Sequence, residues 1–409
     1  MKVTTIYHPP DDLEPRRSRA LLIGVVGLVV CGIGFVINRD QFFRAWLIAY
    51  MLWLGVTLGS MALMMIHHLS GGSWGLVVRR VWEASSRTLP LMTILFVPVL
   101  LGMRTLYPWM HAEAIQAEPI LRHKLAYLNP TFFLVRAAFY FLVWNVIAWK
   151  MSDWSREQDE GNVARTRSMQ KLSAAGLVSY VITITFATID WTMSTDPVYY
   201  STIYGFLFLA GQGLSGLSFT VIIASFLSRR QPMAGVFTPN HFQDYGKLTL
   251  AFVMLWAYFN FSQYLLVYAA NIADEIPYFI TRISNGWQYL ALFLVLFQFA
   301  VPFALLLSRP LKRTPDRLVT VAFWLLFVRL VDLFMFITPE FDKSGPNLHA
   351  GVLAGEHVSV PFVHWLDLAA PVAIGGLWVW MFFTQLRQRP LLPVGDPYLG
   401  SALESTRGH

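Results

Sequence analysis

The stretch Trp324-Leu-Leu-Phe-Val-Arg329-Leu-Val-Asp332-Leu-Phe-Met-Phe336 sets an arginine and an aspartate in the middle of an apolar run. The run covers about 318–338, long enough to cross the hydrocarbon core of a bilayer as a helix. Three residues apart, Arg329 and Asp332 share a helix face and can meet. An ionisable group at that depth costs at least a few kcal/mol, so it normally faces a protein interior and has a partner. The stretch therefore predicts a membrane helix that turns a charged pair inward.

The rest of the chain agrees in composition. Of 409 residues only 13% are charged and 56% are hydrophobic, where soluble domains carry about a quarter charged. The mean hydropathy is +0.50. Apolar runs predict ten spans, at 19–37, 44–68, 88–107, 131–150, 172–191, 198–227, 247–271, 280–307, 317–338 and 362–386. The expected fold is an all-α polytopic membrane protein, a single integral membrane domain with short loops. Spans 2–5 and 6–9 suggest two four-helix bundles, with spans 1 and 10 peripheral. Gly55 and Gly59 in span 2, and Gly205, Gly211, Gly213 and Gly216 in span 6, read as close helix packing. Met1 to Arg19 is polar and contains proline, so no cleavable signal peptide is expected.

Charge sets the orientation. Twenty-two of the 31 Lys and Arg fall on one side, before span 1, after span 10 and in the loops 2–3, 4–5, 6–7 and 8–9. Lys and Arg accumulate on the cytoplasmic side of membrane proteins, which places both termini there. The basic residues are dispersed over short loops, so no nucleic-acid partner is expected; the surface partner is membrane lipid. The longest cytoplasmic segment is read near Met151 to Gln170. The outer loops 108–130 and 339–361 are candidates for docking a periplasmic partner. Tyr107, Trp109, Trp149, Trp191, Tyr199, Tyr200 and Tyr278, at span ends, read as interfacial belts.

The single cysteine, Cys31, excludes some chemistry. One thiolate holds neither an iron–sulfur cluster nor a structural zinc ion. There is no C-x-x-C-H for haem c attachment. His67 and His68 end span 2 on the cytoplasmic side, whereas His364 starts span 10 on the other, so they cannot share a haem. The expectation is no metal and no redox centre of its own.

Charged residues inside the spans are the site candidates. Arg104 lies near the outer end of span 3, Arg136 one turn into span 4, and Asp190 at the end of span 5. Arg329 and Asp332 follow in span 9, and Asp367 lies one turn into span 10, three residues after His364. All are expected in the outer half or near the midplane. They read either as a proton relay or as locks between helices, with Asp190 and Asp367 leaning toward simple hydration near the interface. The inner half is expected to hold no buried carboxylate and offers only His67, His68 and Glu83. Hydroxyls and amides at Thr183, Thr185, Thr188, Gln212, Ser215, Ser218, Tyr258, Asn260, Ser262 and Gln263 read first as bonds between helices.

One segment carries a family resemblance. It runs Gly59-Ser-Met-Ala-Leu-Met-Met-Ile-His67-His68-Leu-Ser-Gly71-Gly72-Ser-Trp74-Gly75, then Arg79-Arg80-Val-Trp-Glu83-Ala and Leu89-Pro90. It continues as Leu95-Phe96-Val-Pro98 and Gly102-Met103-Arg104-Thr-Leu-Tyr107-Pro108-Trp109. This resembles the quinone-reactive membrane subunits of the polysulfide-reductase/NrfD family, and within it those of bacterial alternative complex III. The match covers about an eighth of the chain. By length the chain is similar to the second, smaller of that complex's two related membrane subunits.

The resemblance implies a place in quinol:cytochrome c oxidoreduction in a bacterial cytoplasmic membrane. The implied partners are the paralogous quinol-site subunit and periplasmic subunits that hold iron–sulfur clusters and haem c. For the smaller subunit the implied role is structural and proton-conducting, with quinol oxidised to quinone, or menaquinol to menaquinone, by its paralogue. A quinol site here would need an acceptor such as Asp190 or His364 facing the bundle core. Two other classes remain open on the residues: a secondary transporter, to which midplane charges and glycine-rich helices also suit, and a pure assembly scaffold.

Overall fold

The computed structural model describes residues 7–342 and 362–407, and these are helical with no strand. Ten helices are long and apolar enough to cross a membrane: α1 Leu13–Ile37, α2 Arg39–Ser70, α3 Arg79–Leu101, α4 Pro130–Asp159, α5 Arg165–Thr195, α6 Tyr204–Ser228, α7 Pro239–Ala270, α8 Trp287–Leu307, α9 Pro315–Phe341 and α10 Trp365–Leu386. Local chemistry sets several starts. Asn38 and Asn129 each accept the backbone N–H three residues on (3.1 and 2.9 Å), capping α2 and α4. Proline occupies the first turn of α4, α7 and α9, where its missing N–H costs nothing.

Two boundaries differ from the sequence reading. Helix α3 starts at Arg79 rather than near 88, and α4 runs on to Asp159. The segment read as the longest cytoplasmic loop is therefore mostly helix, and residues 160–164 alone join α4 to α5. The segment 108–130, read as an outer loop, folds into a 3-10 turn and two short helices, Ala112–Ala117 and Pro119–Lys124. Of the other segment read as an outer loop, 339–361, residues 343–361 lie outside the described residues.

The helices close into two rings. In the first half α2 packs on α3 and α5, and α4 packs on the same two; in the second, α6 and α8 each pack on α7 and α9. Helices α1 and α10 pack on each other and on α2. Small residues permit these crossings. A Cβ at Gly59 of α2 would run into the Gln212 carbonyl of α6, and Gly216 faces Gly59 across the same crossing, so the first helices of the two halves touch backbone to backbone. Gly27 of α1 lies against Ala373 of α10 in the same manner. Prolines shape two helices further. Pro90 and Pro98 break α3 into short turns, and a π-helical turn at Val295–Ala300 precedes Pro302 in α8.

The aromatic side chains do not form the belts expected of them. Tyr107, Trp109, Trp191, Tyr199 and Tyr278 are buried, and of that group only Trp149 and Tyr200 are exposed. Trp191 packs against Phe96 and Phe141 inside the first half (4.5 and 5.6 Å between ring centres), and those two rings also touch each other (5.2 Å). These rings fill the bundle.

Candidate functional site

Arg329 and Asp332 meet, both 2% exposed, on the inner face of α9 in the second half. Trp256 of α7 donates its indole N–H to Asp332 Oδ2 (3.0 Å), the oxygen that Arg329 also reaches. Among the described residues no donor makes a hydrogen bond to Oδ1. The guanidinium fits because α6 has no side chain at Gly211, where a Cβ would overlap it. It also faces the Phe208 ring at 5.4 Å.

The first half holds a differently built pair. Arg136 of α4 grips Asp190 of α5 with two arms, Nε to Oδ2 (2.8 Å) and Nη2 to Oδ1 (2.9 Å). Tyr140 donates its hydroxyl to Oδ2 as well (2.8 Å). Arg136 further donates to the Tyr127 carbonyl (2.9 Å) and lies over the Tyr127 ring (3.8 Å). Asp190 is completely buried, which overturns the expectation that it is simply hydrated. Both of its oxygens already have protein donors, Oδ2 two and Oδ1 one.

A third pair was missed by the sequence reading. Arg282, just before α8, pairs with Glu340 at the end of α9 (2.7 Å) and donates to the Phe336 carbonyl (2.8 Å). It stacks on Tyr278 at 3.4 Å. Burial drives the Tyr278 phenol well above its ordinary pKa, so the ring beneath Arg282 stays neutral. This pair joins the third and fourth helices of the second half near the end where Arg136 and Asp190 join those of the first. Each arginine rests on a tyrosine ring.

Asp367 is also buried rather than hydrated. Its Oδ1 accepts from Gln41 of α2 (2.9 Å) and its Oδ2 from the His364 backbone N–H (2.9 Å). His364 in turn accepts the Leu366 N–H through Nδ1 (3.3 Å). The two form a capping box at the start of α10. His364 thus caps α10 through its Nδ1. Arg104 lies beyond α3 and is exposed, outside the buried set.

The opposite, arginine-rich end corrects the sequence reading most. Buried charge was expected in the outer half alone, yet Arg79, Arg80 and Glu83 of α3 are all nearly inaccessible. Arg79 bonds Glu83 (2.9 Å), Asp396 of the C-terminal segment (2.8 Å), Ser155 (2.8 Å) and Gln158 (2.9 Å). Arg80 bonds Glu83 (2.6 Å), Ser155 (2.8 Å) and Asp159. Residues that carry the family resemblance thus form a knot tying α3, α4 and the C-terminal segment. His67 and His68 end α2 nearby, buried, with His67 Nδ1 and His68 Nε2 unpartnered among the described residues. They border a cavity of about 420 Å³ with Gln170, Asp396 and Tyr398.

Several interior hydroxyls bond within their own helices, and Thr183 also accepts the Trp144 indole N–H across from α4 (2.8 Å). Thr183, Thr185, Thr188 and Ser215 each donate to the carbonyl four residues back (2.7 to 3.0 Å). Tyr258 faces outward. The amides do cross: Gln212 accepts from Tyr180 (2.6 Å), and Gln263 donates to Tyr199 (2.9 Å). Gln298, on the π turn of α8, is fully buried with neither amide atom bonded among the described residues. It stands in the apolar run Val295-Leu-Phe-Gln298-Phe and is not among the residues singled out from the sequence. The nearby proline was the available signal, since π turns gather at functional sites.

No family model and no curated protein matches the chain. Chemically, the arrangement separates two kinds of buried acid. Asp190 has protein donors on both oxygens and is suited to locking helices. Asp332 has both donors on one oxygen, leaving the other able to take a proton without losing the arginine.

Proposed function

We propose that this chain is a membrane subunit of a respiratory quinol:cytochrome c oxidoreductase of the alternative complex III type, the smaller of its two related membrane subunits. In this reading it lies in a bacterial cytoplasmic membrane with both termini in the cytoplasm. Quinol oxidation belongs to the paralogous membrane subunit, and electrons pass through iron–sulfur and haem c partners. This chain supports that reaction and conducts protons through its second half. One observation carries the proton role: a buried carboxylate, Asp332, has one fully occupied oxygen and one without a donor among the described residues. Arg329 beside it can hold charge balance while a proton comes and goes.

A scaffold role has its own support in the Arg136–Asp190 clasp, whose donors leave Asp190 no open oxygen. The two roles are compatible, since each half supplies one. The test is isolation of the tagged full-length chain from its native membrane in mild detergent. Co-purification with haem c absorbance and quinol-dependent cytochrome c reduction is expected. A chain that comes out alone, without haem-bearing partners, would favour the carrier reading instead.

A further inference from the structure

The ion knot leaves a second feature at the arginine-rich end unused. Between α3, α4 and α10 lies an open cavity of about 680 Å³, within the roughly 300–1,000 Å³ range of small-ligand sites. Arg87, Arg156 and Arg389 line it, together with Gln385 and Gln388. Its other walls include Pro90, Ala148, Trp149 and Met381, and Trp149 is exposed on the outer surface of α4. Cations and amides on one side, and apolar groups continuing onto a membrane-facing surface on the other, match an amphiphile rather than a soluble metabolite.

The cations are incompletely answered by protein. Arg87 donates to the uncharged Gln388 amide (2.8 Å). Arg389 donates to the Ser152 carbonyl (2.8 Å) and reaches Glu83 only at 3.6 Å, a carboxylate already bonded by Arg79 and Arg80. Burial lowers the pKa of Arg389 below its ordinary value, yet the guanidinium stays charged and is left without a close carboxylate of its own. Arg156 is tied to Asp153, the one acidic residue in the lining. The Gln385 carbonyl oxygen, buried in the wall, has no donor among the described residues and could accept from a head-group hydroxyl.

We infer that this cavity is a binding site for the phosphoryl head group of an anionic phospholipid, its acyl chains leaving along Trp149 and Met381. Basic pockets between membrane helices bind such head groups. The site goes beyond the proposed respiratory role and does not depend on it.

The test uses the full chain purified in mild detergent and stripped of lipid. Binding is followed by thermal stability and by mass measurement of the intact lipid-bound protein. The probes are phosphatidylglycerol, phosphatidylcholine with the same acyl chains, and inorganic phosphate. Phosphatidylglycerol is expected to bind and stabilise, with little effect of the other two. Arg87→Gln and Arg156→Gln should each weaken it by about fivefold, and the double variant by about 25-fold. The exposed Arg156 keeps the test open should Arg87→Gln fold poorly. Equal binding of phosphatidylcholine would overturn the head-group assignment. Saturation by inorganic phosphate alone would overturn the lipid as ligand. Unchanged phosphatidylglycerol affinity in Arg156→Gln and in the double variant would overturn the site.

Discussion

Arg136 and Asp190 are joined by two parallel hydrogen bonds, 2.8 and 2.9 Å long, across the first helical half. Two-armed pairing of this type is the strongest geometry available to an arginine and a carboxylate, and it fixes α4 against α5. Asp332, by contrast, takes both of its donors on a single oxygen. The difference between these two acids underlies the functional reading.

Breaking the clasp on one side should be costly. Asp190→Ala leaves Arg136 buried without its partner, and the expected loss is about 3–5 kcal/mol. Replacing both partners with apolar residues of similar volume should restore most of it. Thermal unfolding of the purified variants decides this; a double replacement as unstable as the single would argue that the pair contributes more than mutual neutralisation.

Close helix approach makes Gly211 irreplaceable in a different manner. Alanine there would put a methyl group where the Arg329 guanidinium sits, at an expected cost of about 1–3 kcal/mol. The displaced arginine should also weaken its hold on Asp332. If Gly211→Ala unfolds at the temperature of the unaltered protein, the guanidinium has room that the packing denies.

Much of the architecture is legible in the sequence, and the exceptions have physical causes. Apolar runs of membrane length mark the ten helices, and the i, i+3 spacing of Arg329 and Asp332 announces their contact. Arg136 and Asp190 are 54 positions apart, so only closure of the bundle pairs them. Arg79, Arg80 and Glu83 read as a polar loop because three charges in five residues look solvated. Their neutral partners Ser155 and Gln158, which complete the burial, carry no such signal. Trp and Tyr at span ends suggest an interface, yet a ring near a helix end can equally turn inward, as Trp191 and Tyr278 do.

The knot at the arginine-rich end gives a further expectation. Glu83→Gln removes the one carboxylate that both Arg79 and Arg80 share, and should destabilise the chain by about 3–5 kcal/mol. Limited proteolysis should then cut the segment around Asp396 sooner. Equal protease resistance would show that Asp396 and Asp159 suffice to hold the two arginines.

Gln298 offers a prediction of opposite sign. Its amide is buried with no protein partner among the described residues, which ordinarily costs about 1–3 kcal/mol. Gln298→Leu should therefore raise the unfolding temperature. A lowered temperature would mean that bound water satisfies the amide, which would make Gln298 a member of a wet path through the second half.

Proton conduction is tested most directly by counting protons released per quinol oxidised in the intact complex bearing Asp332→Asn, reconstituted in sealed vesicles. Transfer through Asp332 predicts a count below that of the unaltered complex, with haem c content and subunit composition preserved. An unchanged count from an intact Asp332→Asn complex would contradict it.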